Sequence, residues 1–196
     1  MKKIILLLFI AALSQPAISQ INPLDNFNAQ KNKTNKTGFI ILGSWAAANM
    51  IYGGIATSGA QGSNKYFNQM NIMWGGVNLG LAVMGYLGAK RETGLSYERT
   101  LKKQVNLEKT FLFNAGLDLT YIASGLYLKE RSKNVIKNSA KFKGYGESVI
   151  FQGGGLLLFD AIMYTLHTRH GKQLYKLAQK VQLTATPGGI GMLVKL

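Results

Sequence analysis

The chain contains no cysteine and few acidic residues. Its 196 residues include 23 lysine or arginine residues and eight aspartate or glutamate residues, for a formal net charge of +15. The absence of cysteine excludes a disulfide framework and thiolate chemistry. In a soluble protein, this charge would suggest nucleic-acid binding. Here the basic residues lie between long apolar stretches, where they suit anionic lipid head groups, so membrane lipids and not nucleic acid are the expected partners.

Recognisable enzyme motifs are absent as well. The sequence contains neither G-x-S-x-G nor H-E-x-x-H, and it has no phosphate-binding glycine loop. His167 and His170 are the only histidines, and together with Asp160 they offer three side chains of types that zinc accepts as ligands. Histidines at the basic boundary of a membrane are more often interfacial residues. We therefore expect no enzymatic activity, no metal and no cofactor.

Four apolar stretches of about 20 residues dominate the chain. A helix rises about 1.5 Å per residue, so each stretch is long enough to span the hydrocarbon core of a bilayer. None of them contains lysine or arginine, and their only acidic residues are Asp118 and Asp160. The pattern predicts an all-α polytopic membrane protein, a bundle of four transmembrane helices at Phe39–Ser58, Tyr66–Ala89, Thr110–Leu128 and Ser148–His167.

The remaining segments suggest a domain organisation. Residues 1–19 are typical of a cleavable signal peptide, with a charged start, a short apolar run and small residues before the cleavage site. The alternative is an uncleaved signal anchor. Residues 20–38 are polar and lack a hydrophobic period, which predicts a flexible leader. Residues 39–170 form the predicted membrane domain, and residues 171–196 predict a short amphipathic helix on the membrane surface, followed by an extended tail.

Two arguments about orientation in the membrane disagree. A cleaved signal places residues 20–38 outside the cytoplasm, which leaves seven lysine and arginine residues on the cytoplasmic side and 14 on the other. The positive-inside rule favours the reverse orientation. We favour the signal because it acts first during export. The expected location is the bacterial inner membrane, with several passes.

Each predicted span carries one stripe of polar side chains. Residues three, four or seven positions apart share a helix face, so all four stripes can turn inward and form a hydrogen-bonded seam. The residues of this candidate binding seam are Asn49, Asn71, Asn78, Asn114, Asp118, Tyr121, Gln152, Asp160 and His167. Acidic groups inside a span are functional candidates by default. The structural alternative is that the seam only fixes the register of the helices.

Parts of the sequence resemble each other. Residues 67–76 read FNQMNIMWGG, and residues 145–154, located 78 positions later, read YGESVIFQGG. The match favours two duplicated helical hairpins related by a pseudo-two-fold axis along the membrane normal. Coincidence among glycine-rich apolar helices is the alternative.

Small residues predict where helices approach closely. Gly76 and Gly80 form a G-x-x-x-G pattern, and Gly153–Gly155 forms a smooth patch on the fourth predicted helix. Such surfaces allow helix backbones to pack closely in membranes. We expect both patches to mark helix contacts, either within the bundle or between subunits.

Several motifs of the spans resemble those of a known family. They are Asn114–Tyr121 with Gly125, the run from Gly146 through Gln152 to Asp160, and Asn71–Asn78. Across roughly residues 39–170, the chain resembles a domain-of-unknown-function family of small bacterial membrane proteins. The resemblance implies four transmembrane helices and no assigned activity.

Two functional hypotheses follow from these patterns. The first is a non-catalytic membrane component that binds a lipid, a membrane protein or a second copy of itself. The second is a small carrier or a proton- or ion-conducting protein that uses Asp118 and Asp160 within the bilayer.

Overall fold

The computed structural model describes residues 22–90, 92–179, 181–186 and 189–194. Helices occupy most of this part of the chain, in agreement with the expected helical bundle. The elements are α1 (Pro23–Thr57), α2 (Gly62–Gly88), α3 (Tyr97–Arg131), α4 (Ser139–Gln179), β1 (Val181–Thr186) and β2 (Gly189–Val194). The strands pair antiparallel within the segment expected to be an extended tail. The predicted signal peptide lies outside the described residues.

Side-chain caps explain where two of the helices begin. The Asn22 side chain accepts a hydrogen bond of 3.0 Å from the Leu24 N–H, and Pro23 occupies the first helical position of α1. Ser96 caps α3 in the same manner, accepting from the Arg99 N–H at 3.3 Å. Both helices therefore start at residues whose side chains satisfy free backbone donors.

The polar segment 20–38 differs from its prediction, because its described part belongs to α1 instead of forming a flexible leader. Three of its asparagines, Asn28, Asn32 and Asn35, are buried, and the first two donate hydrogen bonds to other parts of the chain. Asn28 donates to Thr100 Oγ1 at 3.1 Å, and Asn32 donates to the Lys90 carbonyl oxygen at 2.5 Å. Because the inner face of this part of α1 is polar, the segment shows no hydrophobic period. Its composition therefore resembles that of a disordered chain.

The end of α4 also differs from its prediction. The helix runs unbroken from Ser139 to Gln179, so residues after His170 continue it and do not form a separate helix. The His170 Nε2 atom lies 3.0 Å from the Phe27 carbonyl oxygen, and Leu174 is fully buried. These contacts hold the last turns of α4 against the start of α1.

The helices form two antiparallel hairpins. α1 packs along α2, α3 packs along α4, and the two hairpins meet mainly through α2 and α4. Glycines allow the closest approaches, because a Cβ atom on Gly53 would lie 2.8 Å from the Asn68 carbonyl oxygen. A Cβ atom on Gly125 would lie 2.7 Å from the Gly146 carbonyl oxygen. In the part of the chain that the structure describes, α2 and α3 do not pack along each other.

The two predicted glycine patches behave differently. A Cβ atom on Gly153 would lie 3.0 Å from the Ile122 side chain, so this residue does mark a helix contact. Gly76 and Gly80 face outward, and a Cβ atom on either would meet no atom within 4 Å. The G-x-x-x-G pattern therefore marks no contact within the bundle.

The bundle exposes apolar side chains and buries polar ones. Asn78 is 0% exposed and Gln152 is 1% exposed, whereas Ile55 is 73% exposed and Phe113 is 67% exposed. Ten hydrophobic side chains of the described residues are buried, and a small cluster of them consists of Leu42, Ala82 and Leu156 with three aromatic neighbours. Large exposed apolar surfaces mark sites of contact with a membrane or another protein. Among the described residues, α1 and the part of α4 up to Leu177 are long and apolar enough to cross a membrane.

Replacing Gly125 with alanine should destabilise the protein by about 1–3 kcal/mol, because the new methyl group would press against backbone atoms of α4. Gly116→Ala is the matched control, since a Cβ atom on Gly116, in the same helix, would have open space around it. Thermal unfolding in detergent measures both effects. Equal melting temperatures for the two variants would contradict the described approach of α3 to α4.

Candidate functional site

The structure buries most of the predicted seam but divides it into separate groups. The buried members are Asn49, Asn71, Asn78, Asp118, Gln152, Asp160 and His167. Asn114 and Tyr121 are half-buried. Three groups result: a cluster of amides, a cavity that contains the acidic residues, and an isolated histidine.

Gln152 is the centre of the amide cluster. Its Nε2 atom donates to Asn49 Oδ1 and Asn71 Oδ1, both at 2.9 Å, and its Oε1 atom accepts from Asn78 Nδ2 at 3.4 Å. The Ser148 hydroxyl donates to Asn71 Oδ1 at 2.8 Å. The cluster therefore ties α1, α2 and α4 together. Because Gln152 uses both ends of its side chain, this group suits a structural role.

A cavity of about 490 Å³ occupies the space between α2 and α3. Its lining is mainly apolar and comes from all four helices. The Trp74 and Tyr121 rings meet edge to face across it, with centroids 5.0 Å apart. Besides Tyr121, four hydrogen-bonding side chains of the predicted seam line it: Asn78, Asn114, Asp118 and Asp160.

Asp118 on α3 and Asp160 on α4 share one wall of this cavity. Their carboxyl groups are close enough to interact directly, and Asn114 reaches Asp160. The two aspartates are 3% and 5% exposed. Among the described residues, nothing donates a hydrogen bond to Asp118 Oδ2, Asp160 Oδ1 or Asn78 Oδ1. These three oxygen atoms are enclosed by protein atoms and have no hydrogen-bond donor in the described part of the chain.

His167 lies apart from the acidic residues. Its ring stacks on Phe111, with centroids 5.4 Å apart and planes 4° from parallel. The Gln104 side chain donates to the His167 carbonyl oxygen at 2.7 Å, and both residues are buried. Within the described residues, no three histidine, aspartate or glutamate side chains come together as a metal site would require.

Sequence reasoning missed a buried polar layer at the N-terminal end of α1. Lys31 is 4% exposed, donates to Asn28 Oδ1 at 2.8 Å and forms an ion pair of 3.6 Å with Glu92. Glu92 also forms an ion pair with Lys103. Burial lowers the pKa of Lys31. Burial opposes ionisation of Glu92, but the hydrogen bond from Lys103 and the nearby positive charges outweigh it and lower its pKa.

A spacing in the sequence could have revealed this layer. Asn28, Asn35 and Asn49 are separated by multiples of seven, so they continue one face along α1. The polar stripe of the first predicted span therefore extends beyond the span toward the N-terminus. In the sequence, the polar residues of this extension resemble those of a water-exposed segment, which led to the prediction of a flexible leader.

Residues 41–161 match the model of a family described as "Family of unknown function (DUF6992)". The chain belongs to this family. The match confirms the expected membership in a domain-of-unknown-function family. The matched region contains the amide cluster and both aspartates, whereas Lys31 and His167 lie outside it. Neither a curated protein nor a solved structure matches the chain.

Replacing Gln152 with leucine should destabilise the bundle by about 1–3 kcal/mol, because buried amides on α1 and α2 would lose their partner. Thr165→Val is the control on the same helix, since the exposed Thr165 hydroxyl bonds only locally to the Ala161 carbonyl oxygen. Thermal unfolding and protease resistance measure the difference. A Gln152→Leu variant as stable as Thr165→Val would show that the cluster does not hold the helices together.

Proposed function

We propose that the chain is a four-span membrane protein and that its cavity between α2 and α3 binds a lipid-like molecule. Exposed apolar side chains on all four helices support the membrane part of this proposal. Apart from Ile136 and Tyr175, they fall at residues 40–55, 73–87, 112–127 and 151–166, inside the predicted spans. Each of these four ranges corresponds to about 24 Å of helix, which is close to the hydrocarbon thickness of a bilayer.

The same reasoning extends to α2 and α3, which are less apolar in composition. Their polar side chains point into the protein, with Asn71 and Asn78 on α2 and Asp118 on α3 all buried. Outward-facing residues such as Met84 and Phe113 are 70% and 67% exposed. Mean hydropathy averages both faces of a helix, whereas lipid meets only the outer one.

Polar ends that project beyond the bilayer complete this arrangement. α1 has 35 residues and α4 has 41, so both are longer than the roughly 20 residues that a span needs. The layer around Lys31 lies at the end of the bundle where α1 begins. Its ion pairs suit the head-group region or the water beside it.

Similar contacts in the two hairpins support the proposed duplication. The contacting pairs are Gly53 with Ile72, Gly75 with Met50, Gly125 with Ile150, and Gly153 with Ile122. The first two pairs join α1 to α2, and the last two join α3 to α4. Adding 72 to the residue numbers in α1 gives those in α3, and adding 78 to the numbers in α2 gives those in α4. The loop between α3 and α4 is three residues longer than the loop between α1 and α2, and the helix ends beside it are longer by three residues in total, which accounts for the difference of six.

The cavity is the observation that carries the binding proposal. Its volume of about 490 Å³ lies in the range of small-molecule sites, and its lining is mainly apolar. Exposed lining residues such as Val77 and Leu117 place its opening on the outer surface of the bundle. In a bilayer this opening would face the lipid chains. A non-catalytic lipid-binding membrane component, inserted in the bacterial inner membrane, is therefore the function that we propose.

The two aspartates favour a second candidate function. Asp118 and Asp160 lie side by side within the proposed spans, and no lysine or arginine among the described residues lines their cavity. A carrier or proton-conducting protein would use such a pair. Reconstituted protein separates the two candidates, since a carrier moves its cargo down a gradient across vesicles and a binding protein does not.

Single cysteines should report four spans, because the natural chain contains no cysteine. Cysteines at the exposed positions Gly59 and Lys137 should react with a membrane-impermeant maleimide from one side of the membrane. A cysteine at the exposed position Thr93, between α2 and α3, should react only from the opposite side. Reaction of all three from one side would contradict the four-span arrangement.

Replacing Val77 with tryptophan should reduce lipid retention about tenfold, because the large ring would fill the opening of the cavity. Native mass spectrometry after exchange into a mild detergent counts the lipids that remain bound. Val83→Trp is the matched control, since Val83 is on the same helix, is 50% exposed against 54% for Val77, and does not line the cavity. Equal retention by both variants would refute the proposed site.

A further inference from the structure

A groove between α1 and α4 is apolar along most of its length and polar at one end. Its volume is about 540 Å³. The polar end is formed by Lys33, Thr34 and Thr37, all on α1. The other lining residues are apolar and continue as far as Trp45 on α1 and Gly155 on α4. The groove therefore has one part that suits a polar group and one that suits a hydrocarbon chain.

The groove matches one leaflet of a bilayer in length and position. Lys33 and Trp45 are 12 positions apart on α1. This spacing corresponds to about 18 Å of helix, and one leaflet contributes about 15 Å of hydrocarbon. Among the described helices, α1 and α4 are those long and apolar enough to cross a membrane. The exposed apolar residues of α1 begin at Ile40, so Lys33 and Thr37 lie on the head-group side of that boundary.

A polar hollow adjoins the groove at this end. It has a volume of about 370 Å³ and shares Lys33 and Thr37 with the groove. Lys36 also lines the hollow, and its Nζ atom lies 5.5 Å from the centre of the Tyr86 ring on α2. Lys33 and Thr37 are exposed and Lys36 is half-buried, so a ligand can reach all three side chains from outside the bundle.

The charge at this end of the groove is positive. Among the described residues, no acidic side chain lines the groove or the hollow, and neither Lys33 nor Lys36 forms an ion pair. Glu92, in the polar layer at the same end of the bundle, already pairs with Lys31 and Lys103. Lysines near a membrane surface attract anionic lipids. The two unpaired lysines therefore suit a negatively charged head group.

We propose that the groove binds a phospholipid of net negative charge, with an acyl chain along the groove and the phosphate beside Lys33 and Lys36. Ammonium and hydroxyl groups donate hydrogen bonds to phosphate oxygens, and those of Lys33, Lys36 and Thr37 face outward here. This site is separate from the cavity between α2 and α3. It rests on the membrane insertion proposed above and not on lipid binding in that cavity.

The two tryptophans of the chain report on the two places separately. Trp45 lines the groove, Trp74 lines the cavity between α2 and α3, and the sequence contains no other tryptophan. Trp74→Phe therefore leaves a reporter for the groove, and Trp45→Phe leaves one for the cavity. Phospholipids with brominated acyl chains quench a tryptophan that they contact. The full-length protein is reconstituted with brominated phosphatidylglycerol, which is anionic, or brominated phosphatidylcholine with the same chains, which is zwitterionic.

Quenching of Trp45 should show that phosphatidylglycerol binds at least about fivefold more tightly than phosphatidylcholine at low salt, because each lysine near the surface favours an anionic lipid by roughly this factor. Trp74 should show no such preference, since no lysine or arginine among the described residues lines its cavity. Salt at about 1 M should weaken the preference at Trp45, because it screens charges at the membrane surface.

Variants locate the head group. The double variant Lys33→Gln with Lys36→Gln should lower the preference at Trp45 to less than about twofold, because it removes both charges beside the groove. Lys102→Gln with Lys109→Gln is the matched control. It removes the same charge from exposed positions on α3 that line neither place, and it should leave the preference unchanged.

Several outcomes would overturn this inference alone. An equal preference at Trp45 and Trp74, or an equal loss in the two lysine double variants, would assign the effect to the overall positive charge of the protein. Inorganic phosphate that stabilises the detergent-solubilised protein against heat as much as phosphatidylglycerol does would identify a site for free anions. Native mass spectrometry of the natural protein, comparing retention of the two lipids, tests the preference without any variant.

A different outcome would overturn the proposed function as well. If brominated chains quench neither Trp45 nor Trp74, the helices are not inserted in the bilayer, and both proposals fail. If they quench both tryptophans and Trp45 shows no preference for phosphatidylglycerol, the membrane arrangement stands and only the anionic-lipid site is overturned.

Discussion

The bundle depends on pairing polar side chains with one another across helices. Gln152 shows this most clearly, because its amide group joins Asn49 on α1 with Asn71 and Asn78 on α2. The apolar core is too small to explain by itself why these helices adopt this register. Where lipid covers the outer surface, apolar contacts favour no particular neighbour, so close packing and hydrogen bonds between helices select the arrangement.

The need for hydrogen-bond partners distinguishes the structural residues of the polar seam from its candidate binding residues. Gln152 and Asn71 have partners and thereby hold helices together. One side-chain oxygen in each of Asp118, Asp160 and Asn78 has no donor among the described residues. All three residues line the cavity. Unpaired buried groups destabilise a fold. Among the described residues, unpaired buried atoms also occur at Asn35, Trp45, Gln104 and His167, so it is the cavity that distinguishes this part of the seam.

The family match and the fold agree on which part of the chain is central. The matched residues 41–161 contain the amide cluster and both aspartates. The layer around Lys31 lies outside the match and extends the bundle at one end. It uses ion pairs with Glu92, which water and salt weaken, whereas the inner seam uses neutral amides. The layer at one end thus relies on charged pairs, and the amide cluster inside the bundle relies on neutral groups.

Local composition determined the helices and the positions of the apolar stretches, because hydrophobicity and helical spacing are properties of neighbouring residues. Spacing also placed Asn78, Asp118 and Gln152 on inner faces. Composition misjudged residues 20–38, since polarity on a buried face resembles polarity in water. Only the tertiary structure decided that Gln152 finds its partners while Asp118 and Asp160 share a cavity wall without donors. That outcome depends on which helices become neighbours, and residues 42 or more positions apart along the chain carry no local record of it.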